Sequence, residues 1–70
     1  MHISMWQHYY KLSKQYYRKH GHLKIPRTYR GVNGEYLGIW IISMRRAYHE
    51  KMLSNEQIKK LEAIGMVWRM

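Results

Sequence analysis

Apolar residues recur at helical intervals in three stretches of this chain and alternate with polar ones in a fourth. In the first stretch Met5, Trp6, Tyr9, Leu12, Tyr16 and His20 fall on one stripe at steps of three and four, which predicts a helix over about 5–20. Ser4 with Gln7 forms a capping-box pattern at its start, and Gly21 can take the left-handed conformation that closes a helix. The opposite face carries Lys11, Lys14 and Arg18. A second stripe, Leu37, Trp40, Ile41, Met44 and Tyr48, predicts a helix over about 35–50. Gly38 interrupts it at a cost of about 1 kcal/mol relative to Ala, which suggests that another backbone or a Trp ring comes close there.

The third stretch has the strongest start signal. Ser54 is placed as N-cap, Gln57 follows three residues on, and Glu56 lies in the first turn. Leu53 and Ile58 are spaced for a hydrophobic staple, while Ile58, Leu61 and Ile64 face inward and Lys59 and Lys60 outward. This helix is expected over about 55–64, with Gly65 ending it and Val67 and Trp68 folding back in a tail, 65–70. Between the first two helices, Leu23 and Ile25 alternate with His22 and Lys24, Pro26 holds Ile25 out of the helical region, and Gly31, Asn33 and Gly34 supply a turn. Residues 21–34 therefore read as an ordered, extended loop.

These elements predict an all-α fold, a compact three-helix bundle with an ordered extended loop between helices 1 and 2. The expected core is Trp6, Tyr9, Leu12, Tyr16, Leu23, Ile25, Leu37, Trp40, Ile41, Met44, Tyr48, Leu53, Ile58, Leu61 and Trp68. Trp rings can stack on bases, but all three tryptophans sit on or beside inner stripes, which favours packing. Arg45, three residues before Tyr48 at the edge of the second stripe, reads as structural, paired with a Glu or a carbonyl.

Seventy residues make one domain near the lower limit for independent folding. With no Cys, neither a disulfide nor a thiolate metal site supports it. Mean hydropathy of −0.67 and a net charge of +9 lean towards disorder, but three Trp, seven Tyr and six Met supply a core. The longest apolar run, around Ile39 to Ile42, is far too short to span a bilayer, and Met1-His2-Ile3-Ser4 has neither the basic nor the apolar region of a signal peptide. Cytoplasmic localisation follows by default.

Thirteen Lys and Arg against four Glu and no Asp favour an anionic partner. Lys11, Lys14 and Arg18 on the first helix, with Lys24, Arg27 and Arg30 in the loop, are the first candidates for phosphate contacts; Lys59 and Lys60 form a weaker second patch. Tyr10 and Tyr17 flank the basic face of the first helix, placed either to stack on bases or to cover the core edge. His20 and His22 are close in sequence but lack two further ligands for zinc, so no metal or other cofactor is expected; His20 is placed instead to bond last-turn carbonyls. No phosphate-binding loop, carboxylate pair or activated nucleophile is present, so no catalytic residue and no small-molecule substrate are expected.

The segments His20-Gly21-His22-Leu23-Lys24-Ile25-Pro26, Leu37-Gly38-Ile39-Trp40, Arg45-Arg46-Ala47-Tyr48, Leu53-Ser54 and Leu61-Glu62-Ala63-Ile64-Gly65-Met66-Val67-Trp68, in this order and spacing, resemble the helicase-associated domain family. Two positions depart from its pattern. Met66 stands where Phe is common, and Lys51-Met52 stands where a Gly-containing turn is more usual, which leaves Lys51 to take a strained turn or the second helix to run on. The resemblance implies a small helical unit, often in tandem, appended to bacterial helicase cores or found in multi-copy proteins, and hence a piece of a larger protein. It implies nucleic-acid binding without catalysis, with DNA or RNA as partner and the isolated domain a monomer. A rival reading makes the third helix a groove reader through Asn55, Lys59 and Glu62. An alternative function is docking onto a helicase core or neighbouring repeats, for which Ile39, Ile42, Met52 and Met70 are apolar residues off the inner stripes.

Overall fold

The computed structural model describes residues 4–69. Ser4 opens α1, Met5–His20, through a complete capping box: its hydroxyl accepts from the Gln7 amide at 3.1 Å while the Gln7 side chain accepts from the Ser4 amide. Gly21, at φ 77°, closes the helix by donating its N–H to the Tyr17 carbonyl. Ser54 opens α3, Asn55–Ala63, with the same reciprocal pair to Gln57. Between them lies α2, Leu37–His49.

The second helix starts two residues later than its apolar stripe suggests. Glu35 is spent on the preceding turn: its backbone carbonyl accepts from the Gly31 amide, and its carboxylate accepts from the Asn33 amide at 3.0 Å. Tyr36 then occupies the N-cap position without a side-chain cap. The loop itself does the capping, since the Tyr29 carbonyl accepts the Gly38 amide. Gly38 is fully enclosed because the loop backbone runs against it. A Cβ there would collide with the Pro26 carbonyl oxygen and lie 2.7 Å from that of Arg27, so the close approach expected at Gly38 is by backbone.

Helices α2 and α3 end in the same way with different residues. Met66 N–H donates to the Leu61 carbonyl and Gly65 N–H to that of Glu62, a Schellman turn with Gly65 at φ 82°. After α2, Met52 N–H donates to Ala47 and Lys51 N–H to Tyr48, and the left-handed position is held by Lys51 at φ 58°. The strained turn is therefore the outcome. Helix α2 stops one residue short of the expected 50, and α3 one short of 64.

The enclosed centre is aliphatic. Leu23, Leu37, Ile41 and Leu61 are almost wholly buried, joined by Tyr16, Ile25, Ile64 and Met66. Tyr9, Leu12, Met44, Leu53 and the three tryptophans are only half-buried, packed around this centre, and Tyr48 and Ile58 are also half-covered. The shape explains the difference. The molecule measures 33 × 30 × 19 Å, a slab too thin to enclose indole rings on both faces, so the aromatics form its rim. Trp6 stacks on Tyr10 with centroids 5.4 Å apart and meets Trp40 edge-on at 5.9 Å. Trp68 lies apart from them, stacked on Tyr48 at 4.1 Å with its indole N–H donated to Glu62. The tryptophans thus pin two separate seams and do not meet in one cluster.

Candidate nucleic-acid interface

Lys11, Lys14 and Arg18 are exposed on α1. Helical geometry sets them opposite Ser13, the fully buried residue at the centre of the inner face, whose hydroxyl donates to the Tyr9 carbonyl. They form a cationic ridge together with Lys19 on the same helix.

The two tyrosines nominated beside this ridge turn inward. Tyr10 stacks on Trp6 and donates its hydroxyl to the Lys60 carbonyl on α3 at 3.3 Å. Tyr17 packs its ring against Gly65, and both are half-buried against the core. Of the two roles open to them, they fill the packing one. The exposed aromatic surface lies elsewhere, in the loop. Tyr36 is 52% exposed, with the Arg30 guanidinium 4.3 Å above its ring centroid. Tyr29, also in the loop, is 38% exposed but meets Tyr16 edge-on at 5.1 Å, which ties it to α1. Tyr36 carried no signal in the sequence, because a Tyr just ahead of a helix stripe reads as part of that helix until the turn at Glu35 is known.

The loop's three cations divide between two places. Arg27 and Arg30 share one hollow with Thr28, Tyr36 and Ile39. Lys24 lies on another groove, with His22, Arg45 and Arg69. The secondary patch also separates: Lys59 is exposed, whereas Lys60 is half-buried, 3.5 Å from Glu56 and within 6.0 Å of the Tyr10 centroid.

The loop is held by buried polar chemistry. The Glu35 side chain is 9% exposed, and its second oxygen accepts from His8 Nε2 on α1 at 2.8 Å. Gly31 leaves the room this carboxylate occupies. The His8 hydrogen bond, with the backbone amides of Glu35 and Asn33, holds the carboxyl below its ordinary 4.5, against the opposing effect of burial. Arg45 has the structural role expected, its Nε donating to the Val67 carbonyl at 2.8 Å, and burial lowers its pKa from the usual guanidinium value. His20 does not cap α1; it lies against the Tyr16 ring at 4.1 Å.

Every carboxylate is engaged: Glu35 by His8, Glu50 by Arg46, Glu56 by Lys60 and Glu62 by the Trp68 indole. Of thirteen Lys and Arg, Arg46 and Lys60 have ion-pair partners, so among the described residues the remaining eleven meet no carboxylate. Among the described residues no group of three or more His or Glu side chains could hold a metal ion, and no helix is long and apolar enough to cross a membrane.

No curated protein and no solved structure matches the chain significantly. One family model does, over residues 4–69, from the N-cap of α1 to the residue after Trp68. With three helices, the Gly38 contact and the Trp68 closure all inside the matched span, the chain belongs to the helicase associated domain family.

Proposed function

We propose that the chain is a non-catalytic accessory module of a helicase-like or multi-repeat protein, and that it binds the phosphate backbone of DNA or RNA through its unpaired cations. The observation that carries this reading is the internal use of all four carboxylates, which leaves eleven cations without an acidic neighbour among the described residues. Such a surface concentrates polyanions and releases their counterions on contact. The hollow of Arg27, Arg30 and Tyr36 adds two guanidiniums and an accessible ring, which suits a strand whose bases are unstacked. Lys11, Lys14 and Arg18 supply a second set of phosphate contacts on α1. Tyr10 and Tyr17 support the site only indirectly, by fixing α1 against α3.

A docking reading has its own support. Ile39 and Ile42 on α2 are 44% and 42% exposed and Met52 is 73% exposed, while Met70 lies outside the described residues. This surface would take a helicase core or a neighbouring repeat.

A titration of the domain with labelled single- and double-stranded oligonucleotides at low and moderate salt separates the readings. Micromolar or tighter binding at low salt that weakens steeply with added salt supports the first. Absence of binding at low salt removes it and leaves docking. Arg27→Ala with Arg30→Ala should weaken oligonucleotide binding without lowering the melting temperature, since neither side chain is buried or ion-paired.

A further inference from the structure

The groove around Lys24 differs from the other cationic surfaces in how its cations are held. It has a volume of about 570 Å³ and runs between the start of the loop and the C-terminal tail, lined by His22, Leu23, Lys24, Arg45, Gly65, Val67 and Arg69. No carboxylate lines it. Its cations come from three elements far apart in sequence, and each stands on fastened backbone. The Lys24 amide donates to His22 Nδ1 at 3.0 Å, and its carbonyl accepts the Tyr16 hydroxyl. Arg45 is fixed by its Nε bond to Val67, which leaves the terminal nitrogens without a partner among the described residues. Arg69 follows Trp68, whose ring stacks on Tyr48 and whose carbonyl accepts from His49 Nε2 at 2.9 Å.

We propose that this groove is a seat for one segment of phosphodiester backbone, with Lys24, Arg45 and Arg69 on the phosphate and the sugar edge against Leu23 and Val67. The inference deepens the nucleic-acid reading and rests on it. Cations already convergent on fixed backbone lose little freedom on binding, unlike side chains on an open helix face. The Arg45 fork offers paired donors that match phosphate oxygens. Burial disfavours the Arg45 charge, and an anion in the groove offsets that cost. His22 adds a further donor: with Nδ1 accepting from the Lys24 amide, the neutral ring carries its proton on Nε2. The apolar floor favours a phosphate bearing a sugar over a fully hydrated free ion.

The test is the double variant Lys24→Ala with Arg69→Ala, both exposed positions, read by anisotropy with labelled dT12 beside the parent chain and the Arg27→Ala, Arg30→Ala variant. Loss of two phosphate contacts should weaken binding several-fold at low salt and flatten the log–log salt slope by roughly 1 to 2. An unchanged melting temperature shows that the fold is intact. Unlabelled inorganic phosphate and poly-glutamate, added at constant ionic strength, should displace the oligonucleotide only weakly. If the parent and the loop variant differ but Lys24→Ala with Arg69→Ala binds like the parent, the groove assignment is overturned while nucleic-acid binding stands. If inorganic phosphate or poly-glutamate displaces dT12 from the parent as well as unlabelled dT12 does, the groove takes a free anion or an acidic protein segment, and the backbone assignment fails. If the parent binds no oligonucleotide, both readings fail together.

Discussion

At the scale of single residues, three positions set local conformation against side-chain chemistry. Gly38 sits inside a helix, where Ala would ordinarily gain about 1 kcal/mol. Here the loop backbone fills the space a methyl group needs, with the Pro26 and Arg27 carbonyls in the way. Gly38→Ala should therefore destabilise the domain by about 1–3 kcal/mol net, measured as a lower midpoint in urea unfolding. Lys51 presents the opposite case, a side chain held at φ 58° in a turn that Gly65 makes without strain. Lys51→Gly should stabilise the domain by about 1 kcal/mol, with the same assay as its check and no loss of helical signal. Glu35 is the third. Its carboxyl is held below 4.5, chiefly by His8, so the ionised form is the one the fold favours. Its contribution is complete above the ordinary value and fades as pH falls through the lowered one. Melting curves from pH 7 to pH 3 should show a steeper acid loss for the parent than for Glu35→Gln, and the variant should already be less stable at neutral pH, where it lacks the charged acceptor for His8.

At the scale of elements, local signals and tertiary ones separated cleanly. Both capping boxes, the Gly21 and Gly65 stops, the ordered loop and the Arg45-to-carbonyl bond follow from residue types at short spacing, and each is present. What spacing could not supply was the depth of burial. A stripe says which way a side chain faces, not how thick the layer above it is, and so Leu23, Leu37, Ile41 and Leu61 close the centre while the indoles lie at the rim. The start of α2 was hidden for a related reason: Glu35 is drawn out of the helix by His8, distant in sequence. The consequence for Trp40 can be measured. A fully enclosed Trp replaced by Ala costs about 3–5 kcal/mol, enough to unfold many domains of this size, whose total stability is roughly 4–10 kcal/mol. Trp40 is half-buried, against Tyr9 at 5.6 Å and Trp6 at 5.9 Å. Trp40→Ala should accordingly fall towards the low end, about 3 kcal/mol. A cooperative transition shifted well down in temperature is expected, not the absence of any transition.

At the scale of the whole molecule, charge organisation decides what the module can hold. The candidate cations do not form one continuous face: Lys11, Lys14 and Arg18 stand on α1, Arg27 and Arg30 beside Tyr36, and Lys24 with Arg45 and Arg69 across the groove. A short oligonucleotide on a slab 19 Å thick cannot neutralise all three sets at once unless it bends around an edge. The number of phosphates engaged should therefore be well below the eleven cations that lack an acidic neighbour. Four to six contacts, the content of two sets, correspond to a log–log salt slope of roughly −3 to −5. A slope beyond roughly −8 would mean that the strand wraps the slab and that the three sets act as one surface. Lengthening the oligonucleotide sharpens the distinction. If two sets are used, affinity per site levels off once the strand spans them. If all three are used, both slope and affinity keep rising until the strand is long enough to round the edge. The measured slope against oligonucleotide length thus counts the sets in use, without any structure of the complex.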